Sequence, residues 1–148
     1  MNKKIKFEIY KNLLKIRLIE NKLANEYPKQ KMRCPVHLSI GQEAIAAPLD
    51  QLFKKKDIVV SGHRAHSHYL GKGCNIKKFI DELHGKENGF SRGKAGSMHL
   101  YDKDNGFYGS SPIVANIIPV GVGIALSNKL KKNNKTVIIF FGDGATEE

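Results

Sequence analysis

The sequence contains little that marks a secreted, disulfide-stabilised or membrane protein. Its two cysteines, Cys34 and Cys74, lie far apart and form no Cys-x-x-Cys pair, a usage typical of a reducing compartment. The longest apolar run, residues 113–126, is interrupted by Asn116 and Pro119 and is too short to cross a bilayer. No apolar segment of signal-peptide length stands near the start. We therefore expect a cytoplasmic protein without a membrane-spanning segment.

Arginine is also scarce, although the chain is strongly basic. The 148 residues carry a formal net charge of +11, a balance that is common in nucleic-acid-binding proteins. Only four of the 25 basic residues are arginine, the longest lysine run is residues 54–56, and no basic patch alternates with aromatic residues. A nucleic-acid-binding module is therefore a rival hypothesis that the net charge alone supports, and we predict no nucleic-acid partner.

Three common enzyme motifs are missing as well. No Gly-x-Gly-x-x-Gly follows a predicted strand, so a Rossmann dinucleotide site is unsupported. Residues 93–97 look like a phosphate-binding loop, but Ala95 stands where that loop needs Ser or Thr for Mg²⁺, and Gly89 is one residue too close. The absence of Gly-x-Ser-x-Gly removes the simplest hydrolase hypothesis.

What the sequence does contain is the pattern of an α/β domain. A hydrophobic content of 41% is that of a soluble globular protein, and 148 residues without a repeat or domain boundary can bury one core, so we treat residues 1–148 as part of one domain. The predicted elements are a helix over 6–27 ended by Pro28, a helix after the Ser39–Gln42 capping box that Pro48 kinks or restarts, a strand over 57–60, a helix over 76–83 capped by Asn75, an irregular glycine-rich segment over 85–112, a helix that Pro119 opens, and a strand over 137–141.

The order strand, crossover and strand indicates a parallel sheet with flanking helices. The last strand is apolar on both faces, as is usual inside such a sheet, and the sequence stops four residues after the Gly142–Gly144 turn that follows it. A parallel sheet that stops at an internal strand is unfinished. We therefore expect a C-terminally incomplete α/β fold, the N-terminal part of a longer protein.

Two strand ends carry the residues best suited to chemistry. Asp143 follows the last strand between two glycines, which let a backbone approach a ligand, and its carboxylate can hold Mg²⁺ against phosphate oxygens. Arg64 follows the first strand, and its planar guanidinium suits a phosphate or a carboxylate. A diphosphate bridged by Mg²⁺ fits this pair. An ordinary Asp-Gly turn and an exposed polar loop are the alternatives.

The loop that contains Arg64 also has three histidines, His63, His66 and His68. A zinc site needs three or four ligands that converge on one point, and an arginine among them repels a cation. The oxyanion site is therefore favoured over zinc.

Several motifs occur in the order seen in one enzyme family. They are His37-Leu38-Ser39-Ile40-Gly41-Gln42-Glu43-Ala44, His63-Arg64-Ala65-His66, Gly93-Lys94-Ala95-Gly96-Ser97-Met98-His99, Ile113-Val114 and Gly142-Asp143-Gly144-Ala145. The chain resembles, from about Lys6 to its last residue, the α subunit of thiamine-diphosphate-dependent 2-oxo acid dehydrogenases, the E1 component of pyruvate dehydrogenase-type complexes, and its acetoin dehydrogenase relatives. The resemblance implies the thiamine-diphosphate-binding fold, with thiamine diphosphate and Mg²⁺ as cofactors.

The resemblance also implies roles for the matching residues. Asp143 would be the Mg²⁺ ligand, and His37 and His66 would be catalytic residues in the substrate channel, where imidazoles bind carboxylates or carry protons. The positions implied for cofactor binding are His63, Arg64, Ile113, Val114, Gly142, Asp143, Gly144 and Ala145.

The implied reaction is oxidative decarboxylation of a 2-oxo acid such as pyruvate, with acyl transfer to the lipoyl domain of E2. The family works as an α2β2 assembly in which the E1 β subunit supplies the glutamate that activates the cofactor, so we expect no turnover by this chain alone. Branched-chain 2-oxo acids or acetoin are alternative substrates, and His63, where pyruvate enzymes usually have tyrosine, leans toward an acetoin dehydrogenase α subunit.

The chain departs from the family pattern in three ways, and its end at Glu148 favours a rival of another class, a non-catalytic fragment or assembly subunit. Pro112 replaces a glycine that usually meets the pyrimidine, Pro48 interrupts a usually unbroken helix, and the second Mg²⁺ motif, an Asn downstream of Gly-Asp-Gly, is missing.

Overall fold

The computed structural model describes residues 2–148, and a three-stranded parallel sheet lies at its centre. The middle strand is β1 (Ile58–Ser61), with β2 (Phe107–Ser110) on one side and β3 (Val137–Phe140) on the other. Ser61 pairs in register with Ser110 on β2 and with Phe140 on β3, which places the three carboxyl ends at one edge. The predicted α/β fold with a parallel sheet is confirmed.

Strand β2 is one of two elements that the sequence did not predict, and the other is the short helix at His66–Gly71, in the segment predicted to be a loop. Strand β2 lies within the segment predicted to be irregular, and a four-residue strand that contains Gly109 gives almost no period-two signal. It forms because the Phe107 side chain is fully buried and its backbone pairs with Val59 of β1. Contacts from distant parts of the chain therefore decide this strand, as is common in sheets.

Six helices flank the sheet, and no helix among residues 2–148 is both long and apolar enough to cross a bilayer. Most agree with the prediction, including the stop before Pro28, the restart after Pro48 and the Asn75 cap, whose side chain accepts the Lys78 N–H at 2.9 Å. They are α1 (Lys3–Glu26), α2 (Glu43–Ala46), α3 (Leu49–Leu52), α4 (His66–Gly71), α5 (Ile76–Leu83) and α6 (Ile117–Leu130).

Two predicted helix starts were wrong. Ser39 does not cap α2, which begins at Glu43 without a side-chain cap, because the Ser39 hydroxyl donates to the Arg64 carbonyl and its backbone N–H donates to Glu20 of α1. Helix α6 begins at Ile117, before Pro119. Proline is tolerated there because the first backbone N–H groups of a helix lack an intrahelical partner in any case.

The two faces of the sheet are covered differently. The larger core contains buried side chains of α1, α4 and α5, among them Ile16, Tyr69 and Phe79. On the opposite face α6 lies close to the strands at Gly121, where an added Cβ would collide with the Ile139 side chain. Gly121 therefore allows α6 to pack closely on the sheet.

The irregular segment after α5 is organised around one carboxylate. Glu82 is 1% exposed and accepts four backbone N–H groups, from Ser91 at 2.9 Å, Gly93 at 3.1 Å, Ala95 at 2.7 Å and Gly96 at 3.2 Å. A buried carboxylate needs such donors, and the loop needs an acceptor for its backbone. The segment is therefore ordered by a polar centre rather than by an apolar stripe.

Candidate functional site

A cleft of about 630 Å³ opens at the carboxyl edge of the sheet. Its walls come from the turn after β1, the turn after β3 and the segment before α6. Open α/β sheets bind their ligands at this edge. The cleft brings together all eight positions predicted for cofactor binding, namely His63, Arg64, Ile113, Val114, Gly142, Asp143, Gly144 and Ala145.

The turn after β3 presents a carboxylate and open backbone. Asp143 is exposed and begins a 3₁₀ turn, Asp143–Thr146, which the Thr146 hydroxyl closes by donating to the Asp143 carbonyl at 2.7 Å. A Cβ added at Gly142 or Gly144 would meet nothing within 4 Å, so their backbone is accessible to a ligand. Carboxylate oxygens and backbone N–H groups suit a hard cation and a phosphate, respectively.

Arg64 also lines the cleft and is held by the loop before α2. Its guanidinium donates to the Leu38 carbonyl, and its own carbonyl accepts the Ser39 hydroxyl at 3.4 Å. The Arg64 side chain remains exposed on the cleft side of this contact. The structure therefore places a fixed positive charge in the same cleft as Asp143.

His37 and His63 lie together beside Arg64, with their ring centroids 5.0 Å apart and edge to face. His63 lines the cleft, whereas His37 stands behind it and its buried Nδ1 has no hydrogen-bond partner among residues 2–148. Burial lowers the pKa of His37, and the neighbouring basic side chains of His63, Arg64 and His66 lower it further. The His37 ring is therefore neutral at pH 7.

His66, predicted to act in the substrate channel, lies elsewhere. Its side chain is fully buried and does not line the cleft. Its Nδ1 lies 2.8 Å from Glu20 Oε1, and its Nε2 lies 2.7 Å from Ser97 Oγ. Because both ring nitrogens are occupied inside the core, the predicted substrate contact of His66 was wrong.

His68 is the cleft residue that the sequence did not assign to the site. Its ring stacks on Phe140 with centroids 4.0 Å apart, and its Nδ1 lies 2.8 Å from Ser61 Oγ. Burial lowers the pKa of His68 to about 4, so the ring is neutral at pH 7. Its position at i+5 from His63 was visible in the sequence, but only the structure shows that it reaches the strand ends.

The three histidines of this loop do not form a zinc site. His63 and His68 reach the cleft, whereas His66 points into the core. Over residues 2–148, no three His, Cys, Asp or Glu side chains are close enough to share a metal ion. Asp143 is thus the one carboxylate among the described residues that line the cleft.

The segment before α6 adds an apolar wall. Ile113 and Val114 are 66% and 48% exposed, which leaves their side chains free to meet a ring, and Ala115 beside them has a left-handed φ of +62°. A non-glycine residue in that region is strained, and such strain is found at ligand sites. Pro112, the departure noted in the sequence, is not among the cleft-lining residues.

A parallel sheet with a cleft at its carboxyl edge is the arrangement in which open α/β proteins bind their ligands. Comparison with known sequences gives the family: residues 11–148 match the model described as dehydrogenase E1 component, and the chain belongs to this family.

Relatives from a plant and from bacteria show the same similarity. The chain is 37% identical over 139 residues to the mitochondrial pyruvate dehydrogenase E1 component subunit alpha of Solanum tuberosum, which covers 94% of this chain and 36% of that protein. The corresponding subunit of Rickettsia bellii is also 37% identical over 139 residues, covering 94% and 43%. That of Rhizobium meliloti is 36% identical over 139 residues, covering 94% and 40%. The chain therefore spans less than half the length of these curated relatives.

Proposed function

We propose that this chain is the N-terminal part of an E1 α subunit that binds thiamine diphosphate and Mg²⁺ and takes part in oxidative decarboxylation of a 2-oxo acid. The observation that carries the proposal is the cleft, which gathers eight residues from three distant segments in a chain of the E1 family. The relatives are named as pyruvate dehydrogenase components, which favours pyruvate over acetoin as the substrate. A cytoplasmic location is proposed on the cysteine usage alone, as both thiols are free.

The residues present fit the proposed cofactors. Asp143 offers the oxygen ligand that Mg²⁺ prefers, and the open backbone at Gly142 and Gly144 can approach a diphosphate. The exposed side chains of Ile113 and Val114 give an apolar surface for an aromatic ring. The cleft thus contains a cation ligand, phosphate-compatible backbone and an apolar wall in one place.

Each residue has a separable task in this proposal. When bound, thiamine diphosphate supplies the nucleophilic carbon and the electron sink of the reaction. Asp143 holds the cation, Arg64 neutralises negative charge in the same cleft, and Ile113 with Val114 orients the ring. His37 and His63 stand together beside Arg64, where an imidazole N–H can donate one hydrogen bond to a substrate carboxylate.

Partners are proposed from the resemblance and from exposed apolar surface. Helix α1 exposes Phe7, Tyr10 and Leu18, and α6 exposes Leu126 and Leu130. Apolar helix faces of this extent are typical of subunit interfaces. We propose an E1 β subunit in an α2β2 assembly, with the lipoyl domain of E2 as the acyl acceptor.

Calorimetric titration with thiamine diphosphate and Mg²⁺ tests the cofactor proposal. We expect Asp143→Asn to weaken binding at least about tenfold, because a hydrogen bond or ligand contact to a charged group contributes about 1.5–3 kcal/mol. Glu147→Gln, in the same turn but outside the cleft, is the matched control and should bind as the unmodified chain does. Equal affinity of Asp143→Asn and the unmodified chain would remove the proposed function.

A further inference from the structure

A chain of buried polar side chains stands beside the cleft without taking part in it. It links Glu20 of α1, His66 at the start of α4 and Ser97 at the end of the glycine-rich segment. Glu20 and His66 are 0% exposed and Ser97 is 1% exposed, so no substrate reaches them. Glu20 and His66 are 46 residues apart in the sequence, so these contacts join distant parts of the chain.

All hydrogen bonds of this polar network can be satisfied at once. A carboxylate accepts only, so His66 Nδ1 carries a proton that it donates to Glu20 Oε1 at 2.8 Å. When the ring carries no second proton, Nε2 accepts a hydrogen bond from the Ser97 hydroxyl at 2.7 Å. The second oxygen of Glu20 accepts the Ser39 backbone N–H. Buried networks that are fully satisfied hold their members rigidly.

Two partners of Glu20, namely Ser39 and His66, lie next to Arg64. Ser39, which donates its N–H to Glu20, also donates its hydroxyl to the Arg64 carbonyl, and its neighbour Leu38 accepts from the Arg64 guanidinium. His66 follows Arg64 by two residues and begins α4. Glu20 therefore fixes the backbone on both sides of the Arg64 side chain, through Ser39 and through His66.

Helix α1 contacts the same loop a second time, one turn away from Glu20. Arg17 forms a bidentate ion pair with Glu43, in which Arg17 Nη2 lies 2.9 Å from Glu43 Oε2. Glu43 also accepts the Gly41 N–H at 3.1 Å. The hydrogen bonds from Arg17, and to a smaller extent those from the backbone, lower the pKa of Glu43 to about 2. The loop that carries Leu38 and Ser39 is therefore tied to a long helix at two points.

The other end of the network reaches the glycine-rich segment. Gly96, next to Ser97, donates its N–H to the buried Glu82 carboxylate at 3.2 Å. Ser97 is thus held by Glu82 on one side and by His66 on the other. A displacement of this segment would act on His66 through the 2.7 Å contact.

We propose that Glu20, His66 and Ser97 are positioning residues that fix Arg64 in the cleft. The benefit to cofactor binding rests on the proposed function, whereas the positioning of Arg64 is a property of the chain itself. His66 in this account acts through Arg64 and touches neither cofactor nor substrate.

The direct test follows Arg64 without any ligand, by the NMR signal of its Nε–H group and by hydrogen exchange of the Ser39 amide. Glu20→Ala removes both acceptors of the network, so we expect a shifted or broadened Arg64 signal and Ser39 exchange at least about tenfold faster. Glu26→Ala on the same helix removes a carboxylate that pairs only with exposed lysines, and it should change neither signal. An unchanged Arg64 signal and unchanged Ser39 exchange in Glu20→Ala would overturn the proposal.

Glu20→Gln provides a second variant that keeps the shape and gives a signature of its own. The amide oxygen can still accept the Ser39 N–H, but the amide NH₂ must donate to His66 Nδ1, which moves the ring proton to Nε2. We expect ¹⁵N shifts of the His66 ring to report this tautomer exchange while the Arg64 signal stays in place. If Glu20→Ala does not fold, an unchanged His66 tautomer in Glu20→Gln would overturn the network.

Thiamine diphosphate with Mg²⁺ then separates positioning from function. We expect Glu20→Ala to weaken the binding of thiamine diphosphate at least about tenfold, because the Arg64 guanidinium is no longer held in place for its charged contact. Glu20→Gln should bind as the unmodified chain does, because Arg64 keeps its position. If Arg64→Ala and Asp143→Asn bind as the unmodified chain does, the proposed function fails, and the NMR result still decides the positioning. If those two variants lose binding while Glu20→Ala retains it, the proposed function stands and the positioning of Arg64 by Glu20 is rejected.

Discussion

Histidine protonation sets the charge of the cleft at the scale of single residues. Burial lowers the pKa of His68 to about 4, and burial together with the neighbouring basic side chains lowers that of His37. Both rings are neutral at pH 7, so they offer hydrogen bonds and add no positive charge. Arg64 is then the fixed cation of this wall, which explains why its position matters more than that of a histidine.

The buried His68 should make the folded chain less stable at acidic pH. Its folded pKa lies below the unfolded value near 6.5, so the unfolded chain binds the extra proton as the pH falls from about 6.5 to 4, and the folded state loses stability in that window. We expect the stability difference between the unmodified chain and His68→Asn to shrink by about 1–2 kcal/mol between pH 7 and pH 5. Urea unfolding at the two pH values measures it.

His99 provides the control for this pH dependence. It is exposed, so His99→Asn should leave the pH profile as it is. A difference between the unmodified chain and His68→Asn that stays constant from pH 7 to pH 5 would contradict the assignment of a buried neutral ring to His68.

At the scale of secondary-structure elements, the contact of α6 with the sheet depends on one glycine. An added Cβ at Gly121 would collide with the Ile139 side chain and lie 3.2 Å from Val60, whereas at Gly123, on the same helix, it would meet nothing within 4 Å. The two glycines thus differ in their contacts and share their helical backbone.

This difference gives a matched pair of substitutions. Gly121→Ala should lower the free energy of unfolding by about 1–2 kcal/mol. Overpacking costs about 1–3 kcal/mol, and the higher helix propensity of alanine offsets part of that cost. Gly123→Ala should stabilise the chain by about 0.5–1 kcal/mol through helix propensity alone. Urea unfolding of both variants decides this, and two variants of equal stability would show that α6 does not lie against Ile139.

The elements that sequence reasoning predicted are those with local signals. The long apolar stripe of α1, the Asn75 cap of α5 and the apolar run of β3 each depend on neighbouring residues. Strand β2 and the start of α2 do not, because the burial of Phe107 and the contact of Ser39 with Glu20 are made with distant segments. Local patterns contain no information about such partners.

The same distinction holds for the site. Motif order sufficed to name the eight residues that the cleft gathers, because a parallel sheet brings its strand ends to one edge. It failed for His66, whose side chain is directed by Glu20 and Ser97, and it did not find His68, whose place follows from stacking on Phe140. Side-chain direction within a loop of three histidines requires the structure.

At the scale of the whole molecule, three segments far apart in sequence converge on one cleft. The turn after β1 supplies Arg64, the segment before α6 supplies Ile113 and Val114, and the turn after β3 supplies Asp143. The central claim is that this edge of the sheet holds a metal ion together with a diphosphate. The strong positive charge of the chain, +11, makes an unspecific attraction of diphosphate the explanation to be excluded.

The most direct measurement replaces Mg²⁺ by paramagnetic Mn²⁺ and maps the broadening of backbone amide signals with and without thiamine diphosphate. The account predicts broadening confined to residues 62–64, 113–115 and 141–145, dependent on thiamine diphosphate and lost in Asp143→Asn. Broadening spread over the lysine-rich surface, or broadening at these residues that persists in Asp143→Asn, would contradict it.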